Sequence, residues 1–498
     1  MSATDVDAFI TQYVKDLHEE TAAVFLGAGM SAPAGFVDWV GLLQPLARQL
    51  GLDAKLEADH LVALAQYHVN DNGQNRHALT RALIEEFPTH KTPPENHKIL
   101  ARLPITTYWT TNYDKLIEKS LEDVGKIVDV KSEVPQLAST KPRRDAVVYK
   151  MHGDVDHATK AVLTKDDYER YPVERGAFIN ALTGELISKT FLFLGFSFKD
   201  PNLDYILSRI RITFQQNSRQ HYCILRRVSK DGKDTQADFE YKQAKQRHLI
   251  GDLKRFNIRT LLVDDFPEIT TILSRIDRAY REKTVFISGS ADEFNGWSKN
   301  DVSEFLFDLG KIVIQKGYRL VSGFGWGISN DLLSGAIEQI YAQREGHIQD
   351  HLVVRPFPRA IADKDKRDAL WHEYRKDLIS QAGIALFLFG NKTVDGNIVK
   401  GRRRREGVPY CPSSRTCLCA SGSDGLRRPG HCRGNKDRSS GRSRTGRLQG
   451  CVHQSSRERW QAAGASESNH EGIGRFEDEL TTHGTRHTQS VWRRITET

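Results

Sequence analysis

Polar side chains that can carry chemistry directly follow three apolar segments of this sequence. Asn112 and Asp114 belong to the first motif, Thr-Asn-Tyr-Asp, and His152 begins the second, His-Gly-Asp. The third motif, Gly-Phe-Ser-Phe-Lys-Asp-Pro-Asn, contains Gly195, Ser197, Asp200 and Asn202. An imidazole is suited to proton transfer near neutral pH, which makes His152 a candidate for acid–base chemistry. The structural alternatives are a strand-end histidine bonded to the backbone and, for Asn112, an Asx-turn.

A glycine motif follows a fourth apolar segment, residues 22–26. It contains Gly27, Ala28, Gly29, Met30 and Ser31. Glycines at the start of a helix let backbone N–H groups approach a phosphate, so the motif predicts a pyrophosphate site. Ser31 is a candidate cap for that helix. The alternative is a plain tight turn, because a lone Gly-x-Gly favours neither interpretation.

Short apolar segments alternate with amphipathic ones over residues 1–270, which is typical of βαβ units and a mostly parallel sheet. We predict strands at residues 22–26, 107–111, 146–151, 190–194, 221–225 and 258–263, with helical patterns such as 39–50 and 60–69 between them. In such a Rossmann-like α/β sheet, ligands bind outside the carboxyl ends of the strands. The four motifs are therefore predicted to converge on one crevice.

A second α/β series begins after the charged helical stretch 269–282. Its predicted strands cover residues 284–288, 318–322, 351–355 and 385–389. We therefore predict a first domain over residues 1–282 and a smaller Rossmann-like domain over residues 283–400. The sequence shows no run of about 18 apolar residues and no basic N-terminal signal, so we expect a cytoplasmic protein with no membrane partner.

The composition changes abruptly beyond residue 400. Residues 401–498 carry 19 Arg and Lys against 10 Asp and Glu, so this tail accounts for the net charge of +8 of the 498-residue chain. The tail shows neither strand nor helix periodicity, and we expect it to be disordered. A further hypothesis is that it is translated out of frame. We interpret the run Arg402–Arg405 as a solvated basic segment, with no nucleic-acid partner.

Cysteines are concentrated in the same tail. Cys223 stands alone in the first 400 residues, whereas the tail contains Cys411, Cys417, Cys419, Cys432 and Cys451. A structural zinc site needs about four ligands, and the tail offers no paired Cys-x-x-Cys motifs. We therefore predict no metal and no disulfide framework in the main body.

The ordered set of four motifs resembles the SIR2 family of NAD-consuming proteins, over residues 10–270. The resemblance implies that NAD is bound as a substrate, that Asn112 orients water and the nicotinamide ribose, and that His152 is the general base. It also implies an NAD-binding set of Gly27, Ala28, Gly29, Ser31, Asp114, Gly195, Ser197, Asp200 and Asn202. In that set the glycine motif contacts the phosphates, and Ser197, Asp200 and Asn202 line the adenosine side.

The chemistry of NAD cleavage suits such a site. Breaking the glycosidic bond expels neutral nicotinamide and leaves positive charge on the ribose carbon, so the site mainly holds the ribose and places one acceptor. SIR2 deacylases carry a zinc ribbon built on two cysteine pairs, which residues 1–400 lack. The resemblance therefore favours water as the acceptor, and an NAD glycohydrolase. The alternatives are an NAD-dependent protein deacylase and a nucleotide-binding regulator without turnover.

The second domain carries a Ser-Gly-Ser motif at residues 288–290 and glycines at 323 and 325, and by these motifs it resembles the SLOG nucleotide-sensing fold. The resemblance implies a signal site formed by Ser288, Gly289, Ser290, Gly323, Gly325, Arg375 and Lys392. Arg375 and Lys392 are the residues that would grip a phosphate-bearing ligand. The alternative for these two residues is a plain surface charge.

The two domains together resemble the NAD-hydrolase effectors of the bacterial Thoeris anti-phage system, over residues 1–400. The resemblance implies NAD depletion that is switched on by a cyclic ADP-ribose isomer, which a partner TIR-domain protein makes. It also implies a homo-oligomer, a tetramer, built on the SIR2 domain. The match ends after Lys400, where a SLOG domain continues with further packed elements, so the resemblance leaves the regulation of this chain open.

Overall fold

The computed structural model describes residues 3–214, 217–232, 234–290, 298–324, 328–344, 347–358, 361, 363–389, 391–394, 397–400 and 416–420. The chain divides into two compact units, Met1–Asp277 and Arg278–Thr498. The division lies inside a helix, Pro267–Glu282, which contains the charged helical stretch 269–282 of the sequence. Each unit is described by itself below.

A sheet of parallel strands forms the centre of the first unit. The strands are β1 Ala22–Leu26, β2 Thr107–Thr110, β3 Val128–Lys131, β4 Ala146–Lys150, β5 Thr190–Leu194, β6 His221–Arg226 and β7 Ile258–Val263. Their spatial order is β3-β4-β2-β1-β5-β6-β7, and each neighbouring pair is parallel. This confirms the parallel α/β fold predicted from the apolar segments.

Strand β3 is the element that the apolar pattern misses. It alternates valine with Asp129 and Lys131, and both polar side chains are buried at the sheet edge. They form an ion pair, with Lys131 Nζ 2.8 Å from Asp129 Oδ1. A buried ion pair looks like a solvated turn in the sequence, because the pattern records polarity and not pairing.

Helices cover both faces of this sheet. They are α1 Ala3–His18, α2 Ala28–Ser31, α3 Trp39–Gln49, α4 Leu61–Asp71, α5 His77–Glu86, α6 Glu95–Arg102, α7 Leu116–Asp123, α8 Val134–Leu137, α9 Lys165–Glu174, α10 Gly176–Ser188, α11 Pro201–Phe214, α12 Gln236–Arg255 and α13 Pro267–Glu282, with 3-10 helices at Ala32–Ala34 and Val155–Lys160. On one face, Phe25 and Phe193 pack in a core that includes Phe178 of α10. On the other face, Phe9 of α1 contacts Tyr222 of β6, with ring centroids 4.7 Å apart.

The strand order reverses at β1. From β1 the chain builds β2, β4 and β3 on one side, and it then returns to build β5, β6 and β7 on the other side. In open α/β sheets this switch point, at the carboxyl ends of the strands, is where a ligand binds. The register aligns the strand ends there, because Leu26 pairs with both Thr110 and Leu194, and Thr110 pairs with Lys150. The segments after β1, β2, β4 and β5 therefore start from one row.

The second unit has its own parallel sheet. Its strands are β8 Thr284–Ser290, β9 Arg319–Ser322, β10 Leu352–Val354, β11 Ile384–Phe389 and β14 Thr416–Ala420, in the order β10-β9-β8-β11-β14. Its helices are α14 Lys299–Gln315, α15 Ser329–Gln343, α16 Ile348–His351 and α17 Lys364–Ser380, and β12 Asn391–Val394 pairs with β13 Asn397–Lys400 as an antiparallel hairpin. The predicted Rossmann-like architecture of this domain is confirmed.

Strand β14 differs from the expectation of disorder throughout the tail. Residues 416–420, Thr-Cys-Leu-Cys-Ala, pair in parallel with β11 and extend the second sheet. The physical reason is a short apolar run, which can satisfy its backbone groups by joining an open sheet edge. The rest of the tail, including Arg402–Arg405, lies outside the described residues. Among the described helices, none is long and apolar enough to cross a membrane.

Candidate active site

The glycine motif after β1 interlocks with the segment after β5. The N–H of Gly27 donates to Leu194 O (2.9 Å), and the N–H of Gly29 donates to Gly195 O (3.0 Å). A Cβ on Gly27 would lie 2.4 Å from Gly195 O, and one on Gly29 would lie 2.9 Å from Gly195 Cα. Close packing of two backbones therefore already requires these glycines. Since both amides donate within the protein, a phosphate contact from Gly27 or Gly29 stays a prediction.

Gly195→Ala is expected to destabilise the first unit by about 2–5 kcal/mol. Gly195 has φ +62°, and a Cβ there would lie 2.5 Å from Met30 N, so the substitution adds a backbone clash to left-handed strain. Gly125→Ala is the matched control, because Gly125 has φ +78° with nothing within 4 Å of its Cβ position. Strain alone should cost about 1–2 kcal/mol there. Urea unfolding measures both, and equal losses would contradict the interlock.

Ser31, Asn112 and Asp114 form one buried hydrogen-bonded group across the ends of β1 and β2. Ser31 Oγ donates to Asp114 Oδ2 (2.7 Å), and Asn112 Nδ2 donates to Ser31 Oγ (3.1 Å). Thr110 Oγ1 donates to Leu26 O (2.7 Å) and accepts from the Asn112 N–H (2.9 Å), which ties the two strand ends together. The prediction that Ser31 caps the helix after β1 is wrong, because Ser31 is the last residue of that helix, α2, and its hydroxyl makes no cap hydrogen bond.

His152 lies after β4 and faces Asp200, which lies after β5. His152 is 1% exposed, and its Nε2 lies 3.2 Å from Asp200 Oδ2. Tyr168 of α9 donates its hydroxyl to the same carboxylate oxygen (3.0 Å). The other oxygen, Oδ1, accepts from the N–H groups of Asn202 and Leu203 at 3.0 Å each. The resemblance assigns Asp200 to the adenosine side, whereas the structure places its carboxylate against the imidazole.

The surroundings of Asp200 keep it ionised. Burial opposes the charge, but the His152 ring, the Leu203 N–H and the Tyr168 hydroxyl outweigh burial and lower the pKa of Asp200. A carboxylate beside an imidazole fixes the orientation and tautomer of the ring and stabilises an imidazolium. The arrangement can therefore accept a proton at His152 without leaving the new positive charge uncompensated.

The remaining predicted contacts lie along the segment after β5. Ser197 is exposed, and Asn202 is buried at the start of α11. The Nδ2 of Asn202 has no hydrogen-bond partner within the described part of the chain, so a ligand there would satisfy it. Phe198, between these two residues, has φ +57°, a left-handed conformation that is strained for a non-glycine residue. Ala28, the first residue of α2, is half-buried.

Sequence reasoning missed two buried polar residues that adjoin these motifs. His97 of α6 is 2% exposed, and its two ring nitrogens have no hydrogen-bond partner among the residues that the structure describes. Burial, opposed by the charge of Asp114, lowers the pKa of His97 to about 4, so the ring is neutral at pH 7. Lys150 at the end of β4 is fully buried. Neither residue belongs to a motif, so only the fold reveals that it is near the site.

A cavity of about 550 Å³ in the first unit has no predicted site residue in its lining. It lies beside α4, α8 and α9 and is lined among others by Arg76, Glu133 and Arg175. Two of its cations already have partners in the protein, since Arg76 Nη1 lies 2.7 Å from Asp167 Oδ1 and Arg175 donates to the carbonyl of Ser132 (3.0 Å). We therefore place the candidate site at the strand ends, where the polar residues converge, and not in this cavity. The described residues contain no group of three or more His, Cys, Asp or Glu arranged to hold a metal.

Four of the predicted signal residues of the second unit lie at the ends of the neighbouring strands β8 and β9. Ser288, Gly289 and Ser290 end β8, Gly323 follows β9, and Lys392 lies in β12. Gly325 lies outside the described residues.

Packing already accounts for two of the glycines in the second unit. A Cβ on Gly289 would lie 2.4 Å from Leu388 O, and one on Gly323 would lie 2.6 Å from the Phe357 ring. Arg375 of α17 stacks on the same ring, with Cζ 5.4 Å from its centroid. The structure thus brings Gly323 and Arg375 together around Phe357, and their contact with a signal molecule stays a prediction.

Two family profiles match this chain. The profile of the SIR2-like domain matches residues 106–254, and that of the Sir2- and TIR-associating SLOG family matches residues 268–407. The two matches fall in the first and second sheets respectively. They agree with the order of domains that the motifs predict.

Several bacterial proteins are similar to this chain. The chain is 49% identical over 397 residues to a protein named NAD(+) hydrolase ThsA from Bacillus cereus (strain MSX-D12). The aligned residues make up 80% of this chain and 82% of that protein. It is 52% identical over 386 residues to the NAD(+) hydrolase ThsA of Acinetobacter baumannii (strain 532279), covering 77% of this chain and 80% of that protein. A protein named Defense-associated sirtuin 2 from Bacillus subtilis is 27% identical over 217 residues, 41% of this chain and 21% of that protein.

Proposed function

We propose that this chain, which belongs to the ThsA family of NAD(+) hydrolases, cleaves NAD to ADP-ribose and nicotinamide with Asn112 and His152 at the reacting centre. The bond between the ribose carbon and the nicotinamide nitrogen breaks, and its electron pair leaves with nicotinamide. Water attacks the resulting cation and loses a proton to His152. Asn112 orients the water and the ribose, and ionised Asp200 stabilises the imidazolium that forms.

One observation carries this proposal. The Ser31–Asn112–Asp114 group and the His152–Asp200 pair stand on adjacent strand ends at the switch point of the sheet. The first group offers amide, hydroxyl and carboxylate contacts to a sugar, and the second offers a base with a charged partner. Asn202 extends the same edge with an amide that is free to meet the remainder of a dinucleotide.

The second unit is proposed to gate this reaction. In this proposal a cyclic ADP-ribose isomer, made by a TIR-domain partner, contacts Ser288, Gly289, Ser290, Gly323, Gly325, Arg375 and Lys392. The family description as Sir2- and TIR-associating supports the pairing with a TIR protein. We further propose a homotetramer built on the first unit, acting in the cytoplasm to deplete NAD in anti-phage defence. The phosphate of the signal would pair with the cations of Arg375 and Lys392.

Nicotinamide release from NAD by the purified full chain tests both proposals. We expect release that rises when a cyclic ADP-ribose isomer is added, because the signal is proposed to bind the second unit. Equal release with and without the signal would retain the hydrolase and contradict the gating. No release under either condition, together with thermal stabilisation by NAD, would favour a nucleotide-binding regulator. O-acetyl-ADP-ribose formed from an acetyl-lysine peptide would favour the deacylase.

A further inference from the structure

Lys150 joins the segment that carries Asn112 to the segment that carries His152. It is the last residue of β4, two positions before His152, and its side chain is 0% exposed. Its ammonium donates to Tyr113 O (3.3 Å) and to Asp114 O. Both carbonyls belong to the segment after β2, directly beyond Asn112. One buried side chain therefore links two neighbouring strand ends.

The ammonium is surrounded by carboxylates that hold it in place. Lys150 Nζ lies 2.9 Å from Glu118 Oε1 of α7 and 2.8 Å from Asp154 Oδ2. Asp154 is itself bound by Lys115, with Nζ 2.8 Å from the same oxygen. A buried charge is tolerated only with such partners, so the position of the ammonium is fixed by several contacts at once.

Lys150 acts as a permanent donor and not as a base. Burial disfavours its charge, but the carboxylates of Glu118 and Asp154 outweigh burial and raise the pKa of Lys150. The ammonium therefore stays protonated throughout the neutral range. Its contribution is to hold backbone carbonyls, which an ammonium with three donors can do while also pairing with carboxylates.

Tyr113 adds a second link along the same line. Its hydroxyl donates to Val162 O (2.7 Å), and the Val162 N–H donates to His152 O (2.9 Å). The Val155 N–H donates to Tyr113 O (3.1 Å), the carbonyl that Lys150 also binds. The segments of Asn112 and His152 are thus joined both through the Lys150 ammonium and through the Tyr113 ring.

We propose that Lys150 is a positioning residue for the proposed reaction, setting the placement of Asn112 and Asp114 relative to His152. The inference rests on the proposed function, because it assigns Lys150 a role in that same site. A misplacement of about 1 Å at a reacting group can cost about 10²-fold in rate. Loss of the ammonium should therefore lower kcat, while KM changes little because no atom of Lys150 touches the substrate.

Lys131 provides a matched control in the neighbouring strand. It is also a buried lysine, paired with Asp129 at 2.8 Å, and it donates to the backbone carbonyl of Ser139. That carbonyl does not belong to any segment of the candidate site. Lys131→Met and Lys150→Met therefore both remove a buried ammonium, but only the second releases the Asn112 segment.

The experiment compares the full-length chain with Lys150→Met, Lys131→Met and the double variant Lys150→Met/Glu118→Leu. The double variant replaces the buried ion pair by apolar side chains of similar volume, which restores stability that the single change loses. Nicotinamide release gives kcat and KM, and thermal unfolding gives Tm. Hydrogen–deuterium exchange of the peptide spanning residues 111–116 reports the placement of the Asn112 segment without requiring activity.

We expect Lys150→Met and the double variant to lose about 10²-fold in kcat with little change in KM, and to exchange faster at residues 111–116. The double variant should recover Tm without recovering kcat, which a purely structural role would not produce. Lys131→Met should lose Tm and keep both kcat and the exchange pattern. Wild-type kcat or wild-type exchange in the folded double variant would overturn the proposal. If the unmodified chain releases no nicotinamide, the proposed function fails, and the exchange data still decide the placement by Lys150.

Discussion

Replacing His152 by alanine is expected to lower nicotinamide release from NAD by about 10²- to 10⁴-fold, the usual contribution of a positioned acid–base group. In the proposed reaction the imidazole is the base that takes the proton of the attacking water. Its removal leaves the Asp200 carboxylate buried without the imidazole that helps to lower its pKa. Initial rates over a range of NAD concentrations measure the loss, which should fall on kcat.

His221→Asn is the matched control for this experiment. His221 is also a buried histidine of the first unit, but it is the first residue of β6 and so lies at the amino ends of the strands, away from the candidate site. Its Nδ1 accepts from the Phe191 N–H (3.2 Å). Burial lowers the pKa of His221 to about 3, so it is neutral and structural. The control should lose stability and keep kcat. His152→Ala with more than roughly a tenth of the wild-type kcat would refute the role given to His152.

Asn112→Ala is expected to lower kcat by about 10²- to 10³-fold, because it removes a positioned amide donor from the proposed reacting centre. The substitution also leaves Ser31 Oγ without the donor that now lies 3.1 Å away. Since the proposed phosphate and adenosine contacts do not involve Asn112, NAD should still stabilise the variant against thermal unfolding. Initial-rate kinetics and a thermal shift with NAD measure the two effects separately.

Asn257→Gly serves as the control for Asn112→Ala. The Asn257 amide donates to Ser218 O (2.8 Å) just before β7, far along the sheet from the site, and its φ of +55° suits glycine. Asn257→Gly removes a structural amide and leaves the proposed reacting centre unchanged, so only Tm should change. Loss of NAD binding in Asn112→Ala, with kcat preserved at saturating NAD, would make Asn112 a binding residue only.

The sequence predicted those elements whose burial is visible as apolar runs. Strands β1 and β5 are buried along their whole length, and their segments are runs of Ala, Val, Leu and Phe with a single Thr. Strand β3 escaped because Asp129 and Lys131 neutralise each other inside the protein. Strand β14 was not predicted, because the sequence around it is polar. Pairing at a sheet edge depends on backbone N–H and C=O groups more than on particular side chains.

The site was predictable as a set of strand ends but not as a network of contacts. Motif order placed Asn112, His152 and Asp200 at one edge of the sheet, and the topology agrees. The pairing of His152 with Asp200 depends on how α11 begins, and the bonds of Lys150 depend on the path of the segment after β2. Both are properties of tertiary packing, which residue spacing along the chain does not encode.

The interlocked glycines have a mechanical consequence. Gly27 and Gly29 touch the backbone of Gly195 with no room for a side chain, and close-packed backbones resist compression. A displacement of the end of β1 is therefore expected to displace the end of β5 as well. A nucleotide that pulls on Ser31 would carry Asp200 with it, and so shift the partner of His152.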